Sequence, residues 1–163
     1  MLLGLSIEAF TTLHVAISLI GLATGLVWLL ALVNGRWLGV VNAIFLVTTV
    51  ATTVTGFMFP ITAFTPALGT GIVSLAVLAV AVAAYFRRLR GGAWMVTYLV
   101  AATVGLYLNA FVAVVQSFLK ITALNDLAPT GSEPPFALAQ GAVLIAFITL
   151  GWLAVRRRAV VMG

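Results

Sequence analysis

Cysteine is missing from all 163 residues, and charge is scarce: only 7% of the chain is Asp, Glu, Lys or Arg. Without cysteine there are no disulfides, no thiolate zinc sites, no cysteine-ligated iron–sulfur clusters and no c-type haem attachment. The charge deficit excludes more. A soluble domain carries about 25% charged residues, so this chain has too few to cover a water-facing surface, and lipid must be the solvent for much of it. Histidine occurs once, at His14, which rules out bis-histidine haem within one chain and leaves a zinc site short of its usual three or four ligands. The acidic residues are only Glu8, Asp126 and Glu133. They form no carboxylate pair for hydrolysis, and neither a catalytic serine motif nor a phosphate-cradling glycine loop accompanies them.

What is present is apolar sequence: 64% hydrophobic residues and a mean hydropathy of +1.27. A helix needs about 20 apolar residues to cross the hydrocarbon core. Five stretches qualify, at 8–33, 40–59, 66–86, 93–119 and 135–155. The expected fold is therefore all-α, a polytopic five-transmembrane-helix bundle forming a single domain over 1–163, with an outer loop at 120–134. The opening residues lack a basic segment and a clear small-residue cleavage site, so they are read as retained structure and not as a signal peptide.

Local signals mark the helix ends. Ser6 is a cap for the first helix, with Glu8 in its first turn where a carboxylate suits the helix dipole. Asn34–Gly35 is a stop. Gly21 and Gly25 form a close-packing face. The second span is rich in threonine, at positions 48, 49, 52, 53 and 55. A lone strand cannot cross lipid with its backbone unpaired, whereas a helical threonine bonds back to the carbonyl a turn earlier, so helix is expected here too. Residues 60–65 read as a turn, with Thr65 capping a third helix at Pro66. Gly69 and Gly71 are expected to loosen its first turns. Pro134–Pro135 starts the fifth span, and the loop before it is expected to be an ordered cap with its apolar residues Ile121, Leu124 and Leu127 folded back.

The net charge of +5 points to membrane topology and not to nucleic acid. Arg36, the group Arg87, Arg88 and Arg90, and the run Arg156–Arg158 all fall at the same end of a five-span bundle, with no acidic residue among them. Glu8, Lys120, Asp126 and Glu133 fall at the other end. By the positive-inside rule the N-terminus is outside and the C-terminus inside. Trp28, Trp37, Trp94 and Trp152 then line up as an aromatic belt on the inner side.

The longest span, 93–119, carries a polar stripe. Asn109, Gln116 and Lys120 are separated by 7 and 11 residues, within about 20° of one line on a 3.6-residue period. His14, Ser18, Thr52, Thr55 and Gln140 fall at similar depth, and nothing comparable marks the inner half. These residues point to an outward-facing polar site between spans one, four and five, with His14, Ser18, Asn109, Gln116, Lys120 and Gln140 as the candidate ligand-binding residues. Amides and threonines in membrane helices also simply bond across helix contacts. His14 is suited to proton exchange near neutrality. Haem held by His14 and Met58 is chemically reasonable but has no spacing motif behind it.

The segments LYLNAFVAVVQSFLK and LAPTGSEPPF, with the overall look of the chain, resemble small uncharacterised polytopic proteins of bacterial inner membranes; the likeness brings no function with it. The expectations are a multi-pass protein of the bacterial inner (plasma) membrane that binds or transports a small or lipophilic ligand. A non-catalytic accessory or structural subunit of a larger complex is the alternative, and a redox or quinone-handling protein the third. No catalytic residue, metal or cofactor is assigned. The expected partners are the lipid bilayer and a homo-oligomer or larger membrane complex.

Overall fold

The computed structural model describes residues 2, 4–60 and 66–158. They form an all-helical bundle with no strand among them. Five helices are long and apolar enough to cross a membrane. These are α1 (Ile7–Val33), α2 (Gly39–Gly56), α3 (Pro66–Arg87), α4 (Gly92–Lys120) and, after the one-turn α5 (Thr122–Asn125), α6 (Pro134–Arg156).

The ends follow backbone chemistry. Ser6 Oγ accepts from Ala9 N at 3.1 Å, and Asn34 closes α1 before Gly35, whose φ of 71° suits glycine. On α2 the threonines bond back to the preceding turn: Thr48 Oγ1 to Ile44 O at 2.7 Å, Thr52 to Thr48 O at 2.9 Å, Thr53 to Thr49 O at 3.1 Å and Thr55 to Ala51 O at 2.8 Å. Each hydroxyl so bonded satisfies its own hydrogen inside an apolar medium. Helix α2 stops at Gly56, and Phe57–Phe59 form a turn that swings the Phe59 ring against Phe10, with centroids 5.1 Å apart. Of the turn expected at 60–65, only Pro60 is among the described residues; Thr65 lies outside them. Helix α3 is continuous from Pro66, and Gly69 and Gly71 do not interrupt it. A Cβ at Gly71 would come 3.3 Å from the Phe57 ring, so the glycine sits where α3 passes that turn.

Helix α4 is the axis of the bundle. Half of its most apolar window is buried, against 11% for α6, and it touches α1, α2, α3 and α6. The most extensive contacts join α1 to α2 and α3 to α4, so the bundle is two helical hairpins with α6 laid mainly on α4 and also touching α1. At the end carrying the arginines the hairpins close on each other. Trp28 stacks on Phe45 at 5.2 Å and meets Tyr98 edge-on at 5.8 Å. A methyl group on Gly25 would sit 2.8 Å from Phe45 and closer still to Leu106, so glycine is what lets α1 approach there. Arg88 lies over the rings of Tyr85 and Trp37, 3.8 and 5.4 Å from their centroids, which ties the two basic links together.

The four tryptophans do not form one belt. Trp94 and Trp152 are exposed and lie under Arg87 and Arg156. Trp28 is 0% exposed. It shares the α1 stripe of Gly21, Gly25, Leu29 and Leu32 that faces inward, and depth along the chain does not reveal which side of the helix a residue occupies.

The link between α4 and α6 is folded. Asn125 Nδ2 donates to Phe118 O at 3.0 Å, and Ala128 is buried. Of the three apolar residues expected to fold back, Leu124 is half-buried, while Ile121 and Leu127 stay exposed. Glu133 holds the last turn, accepting from Thr130 N at 3.0 Å, Thr130 Oγ1 at 2.9 Å and Ser132 N at 3.0 Å. These bonds, that to the Thr130 backbone foremost, pull its carboxyl down to about 2.

A candidate ligand cavity between the helical hairpins

Away from the arginine end the two hairpins part. Between them lies a cavity of about 650 Å³, lined from α1, α2, α3 and α4. The volume is within the range of about 300–1,000 Å³ usual for small-molecule sites. Gln116 and Lys120 stand exposed at one end, while Thr49 and Asn109 are buried at the other.

The polar stripe of α4 faces this space, since Asn109, Gln116 and Lys120 all line it. Ser18 and Asn109 bridge the hairpins reciprocally: Ser18 Oγ donates to Asn109 Oδ1 at 2.8 Å, and Asn109 Nδ2 donates to Ser18 O at 3.2 Å. One turn nearer the mouth, His14 Nδ1 is 2.8 Å from Thr55 Oγ1, and its ring meets Phe59 edge-on at 5.3 Å. Thr55 has one hydrogen, directed to Ala51 O at 2.8 Å. With that hydrogen on Ala51 O, the tautomer carrying its hydrogen on Nδ1 is the one that completes both bonds. His14 shares the cavity with Asn109 and Gln116, but its hydrogen bond goes to α2 and not to the amides.

Five of the six candidate residues, His14, Ser18, Asn109, Gln116 and Lys120, thus converge on one cavity. Gln140 does not. Its Nε2 donates to Phe111 O at 3.2 Å on another flank of α4, and α6 contributes nothing to the lining. The walls are α1 to α4, not spans one, four and five. Met58 is also absent from the lining, and no group of three or more His, Cys, Asp or Glu among the described residues is placed to hold a metal ion.

Two polar features escape a reading of the sequence. Thr49, 2% exposed, lines the cavity floor, and its Oγ1 has no hydrogen-bond partner among the described residues. The threonine-rich run marks it only as one of five. At the arginine end Asn42, 0% exposed, accepts from the Tyr98 hydroxyl inside the aromatic core. The arginine half of the bundle is therefore not free of buried polar groups, contrary to the expectation. Asn42 sits three residues into α2, a position that on sequence alone belongs to the membrane interface.

No family model, curated protein or solved structure matches this chain.

Proposed function

We propose that this multi-pass membrane protein binds a small or lipophilic ligand in the cavity between its two hairpins. The observation that carries the reading is the convergence of His14, Ser18, Asn109, Gln116 and Lys120, from α1 and α4, on one space that is buried at one end and exposed at the other. Intramembrane polar groups are costly unless bonded or used, and here Ser18 and Asn109 bond to each other while Gln116 and Lys120 stand open on the same cavity. With Arg36 and both arginine clusters assigned to the cytoplasm, the N-terminus is outside, the C-terminus inside, and the cavity opens outward from the bacterial inner membrane. Transport would require the packed end at Trp28, Phe45 and Tyr98 to part.

Because the chain has no cysteine, single cysteines report cleanly. Cysteine at position 116 is expected to react with a membrane-impermeant maleimide from the periplasmic side, and cysteine at 53 more slowly through the cavity. Reaction at 116 only from the cytoplasmic side would overturn the orientation. Equal, unrestricted reaction at 53 and at a lipid-facing control would overturn the enclosed cavity.

A second reading, an accessory subunit of a larger membrane complex, draws on α6. That helix is the least buried, and with α4 it borders an apolar groove of about 380 Å³ that includes Tyr107, Phe147, Ile148 and Trp152. Ile148→Trp would then dissociate a complex seen in native membranes. An unchanged native mass would count against it.

A further inference from the structure

Resting on the cavity reading above, we infer that the ligand is an anionic amphiphile, its charged head held at Lys120 and Gln116 and its hydrocarbon body lying along α4 toward Thr49. Lys120 is the one formally charged residue among the described residues that line the cavity, and neither Asp nor Glu is there to neutralise it. No salt bridge to it is formed within the described residues, so its ammonium is free to meet a ligand carboxylate or phosphate. Gln116, one turn deeper on the same face and exposed, adds an amide N–H₂.

The interior has the opposite character. Thr52 and Thr53 spend their hydrogens on backbone carbonyls, as does Ser117 on Ala113 O at 2.8 Å, and Ser18 spends its hydrogen, and Asn109 one of its two amide hydrogens, on each other. Formal positive charge is thus confined to the mouth; deeper in, the unspent polar groups such as Thr49 and Ser74 are neutral, and the walls offer Val15, Leu108 and Val112. An anion placed deep would be desolvated with no formal positive charge beside it. From Lys120 to Gly105 the slot runs about 22 Å along the helix, more than the roughly 15 Å of one leaflet's share of the hydrocarbon core, so a head and a chain fit end to end.

The test uses the full chain in phosphatidylcholine nanodiscs with nitroxide-labelled dodecanoate, reading the immobilised spin fraction. Dodecyl phosphate and dodecanoate should displace the label about tenfold better than dodecanol or dodecyltrimethylammonium, and inorganic phosphate should not displace it. Lys120→Gln should abolish the preference among heads while Lys120→Arg retains it. Circular dichroism checks that each variant folds. Displacement by inorganic phosphate as strong as by dodecyl phosphate would overturn the amphiphile in favour of a free anion. Val112→Trp, which fills the slot, separates cavity from boundary lipid. If it removes the immobilised fraction but all four dodecyl probes compete equally, the anionic head is overturned and the cavity reading stands. If it changes nothing, the cavity reading itself fails.

Discussion

The two ends of this bundle are built from the same four helices and differ in how close those helices come. At the arginine end α1 reaches α2 and α4 through Gly25, and Trp28, Phe45, Tyr98 and Leu106 fill the space without exposure. At the other end the same helices carry hydroxyls, amides, His14 and Lys120 around an unfilled cavity. The difference teaches that packing, not hydrophobicity, holds the fold together. Lipid is as apolar as leucine, so burying an apolar face against another helix gains little from the hydrophobic effect, and close van der Waals contact and interhelical hydrogen bonds take over. The end with the tightest contacts anchors the bundle, and the looser end keeps an unfilled cavity.

The largest loss is expected from spoiling the tight end. Gly25→Val should clash with Leu106 and Phe45 and cost at least about 1–3 kcal/mol, whereas Thr53→Val at the cavity wall should cost well under about 1 kcal/mol. Denaturant titration of both variants in the same micelle checks this, and equal losses would erase the proposed distinction.

A smaller effect is expected at the buried pair. Tyr98→Phe leaves the Asn42 oxygen without its donor, at a cost of about 1–3 kcal/mol. Adding Asn42→Leu should recover part of that loss, because both polar partners are then gone. A double variant no better than Tyr98→Phe would show that the aromatic packing around the pair matters more than the hydrogen bond.

Smaller again is the bridge between hairpins. Ser18→Ala and Asn109→Leu should each cost about 0.6–2 kcal/mol, and a double-mutant cycle should show them non-additive, since one reciprocal pair is being removed twice. Additive losses would mean that α1 and α4 are not in register at this depth.

The smallest effect sharpens the contrast from outside the bilayer. Glu133 has a carboxyl lowered from 4.5 to about 2 by its bonds to Thr130 and Ser132. A lowered folded value means that its contribution is fully present above the ordinary value of 4.5 and is lost as pH falls through about 2. The Thr130 and Ser132 amide resonances should be unchanged from neutral pH to about 5 and shift only well below 4. Glu133→Gln should loosen that turn with little effect on the spans.

Several features are legible in the sequence because they are local. The Ser6 cap, the Asn34–Gly35 stop and the proline pair opening α6 are set by backbone groups that any helix end must satisfy. The stripe Asn109, Gln116 and Lys120 is legible from spacing alone, because a helix converts spacing into direction. Gln140 matches that stripe in depth, and depth carries no information about direction, so its place on another flank of α4 is not legible. Trp28 matches the depth of an aromatic belt in the same way, yet it is the centre of the core.

The sequence by itself determined the class of this protein: five membrane-spanning helices, charged at their ends, with their polar groups gathered toward one end. Hydrocarbon demands about 20 apolar residues per crossing and a backbone bonded within its own helix, and both demands are written residue by residue. Only the tertiary structure decided which helices are neighbours, that α2 and α3 rather than α6 complete the cavity, and that Thr49 reaches its floor. In a soluble helix the apolar stripe marks the buried face. Beyond Ser18 a membrane helix such as α1 is apolar on almost every side, so its buried face there comes from the shape complementarity of Gly25, Phe45 and Leu106, three residues that meet only when the chain has folded.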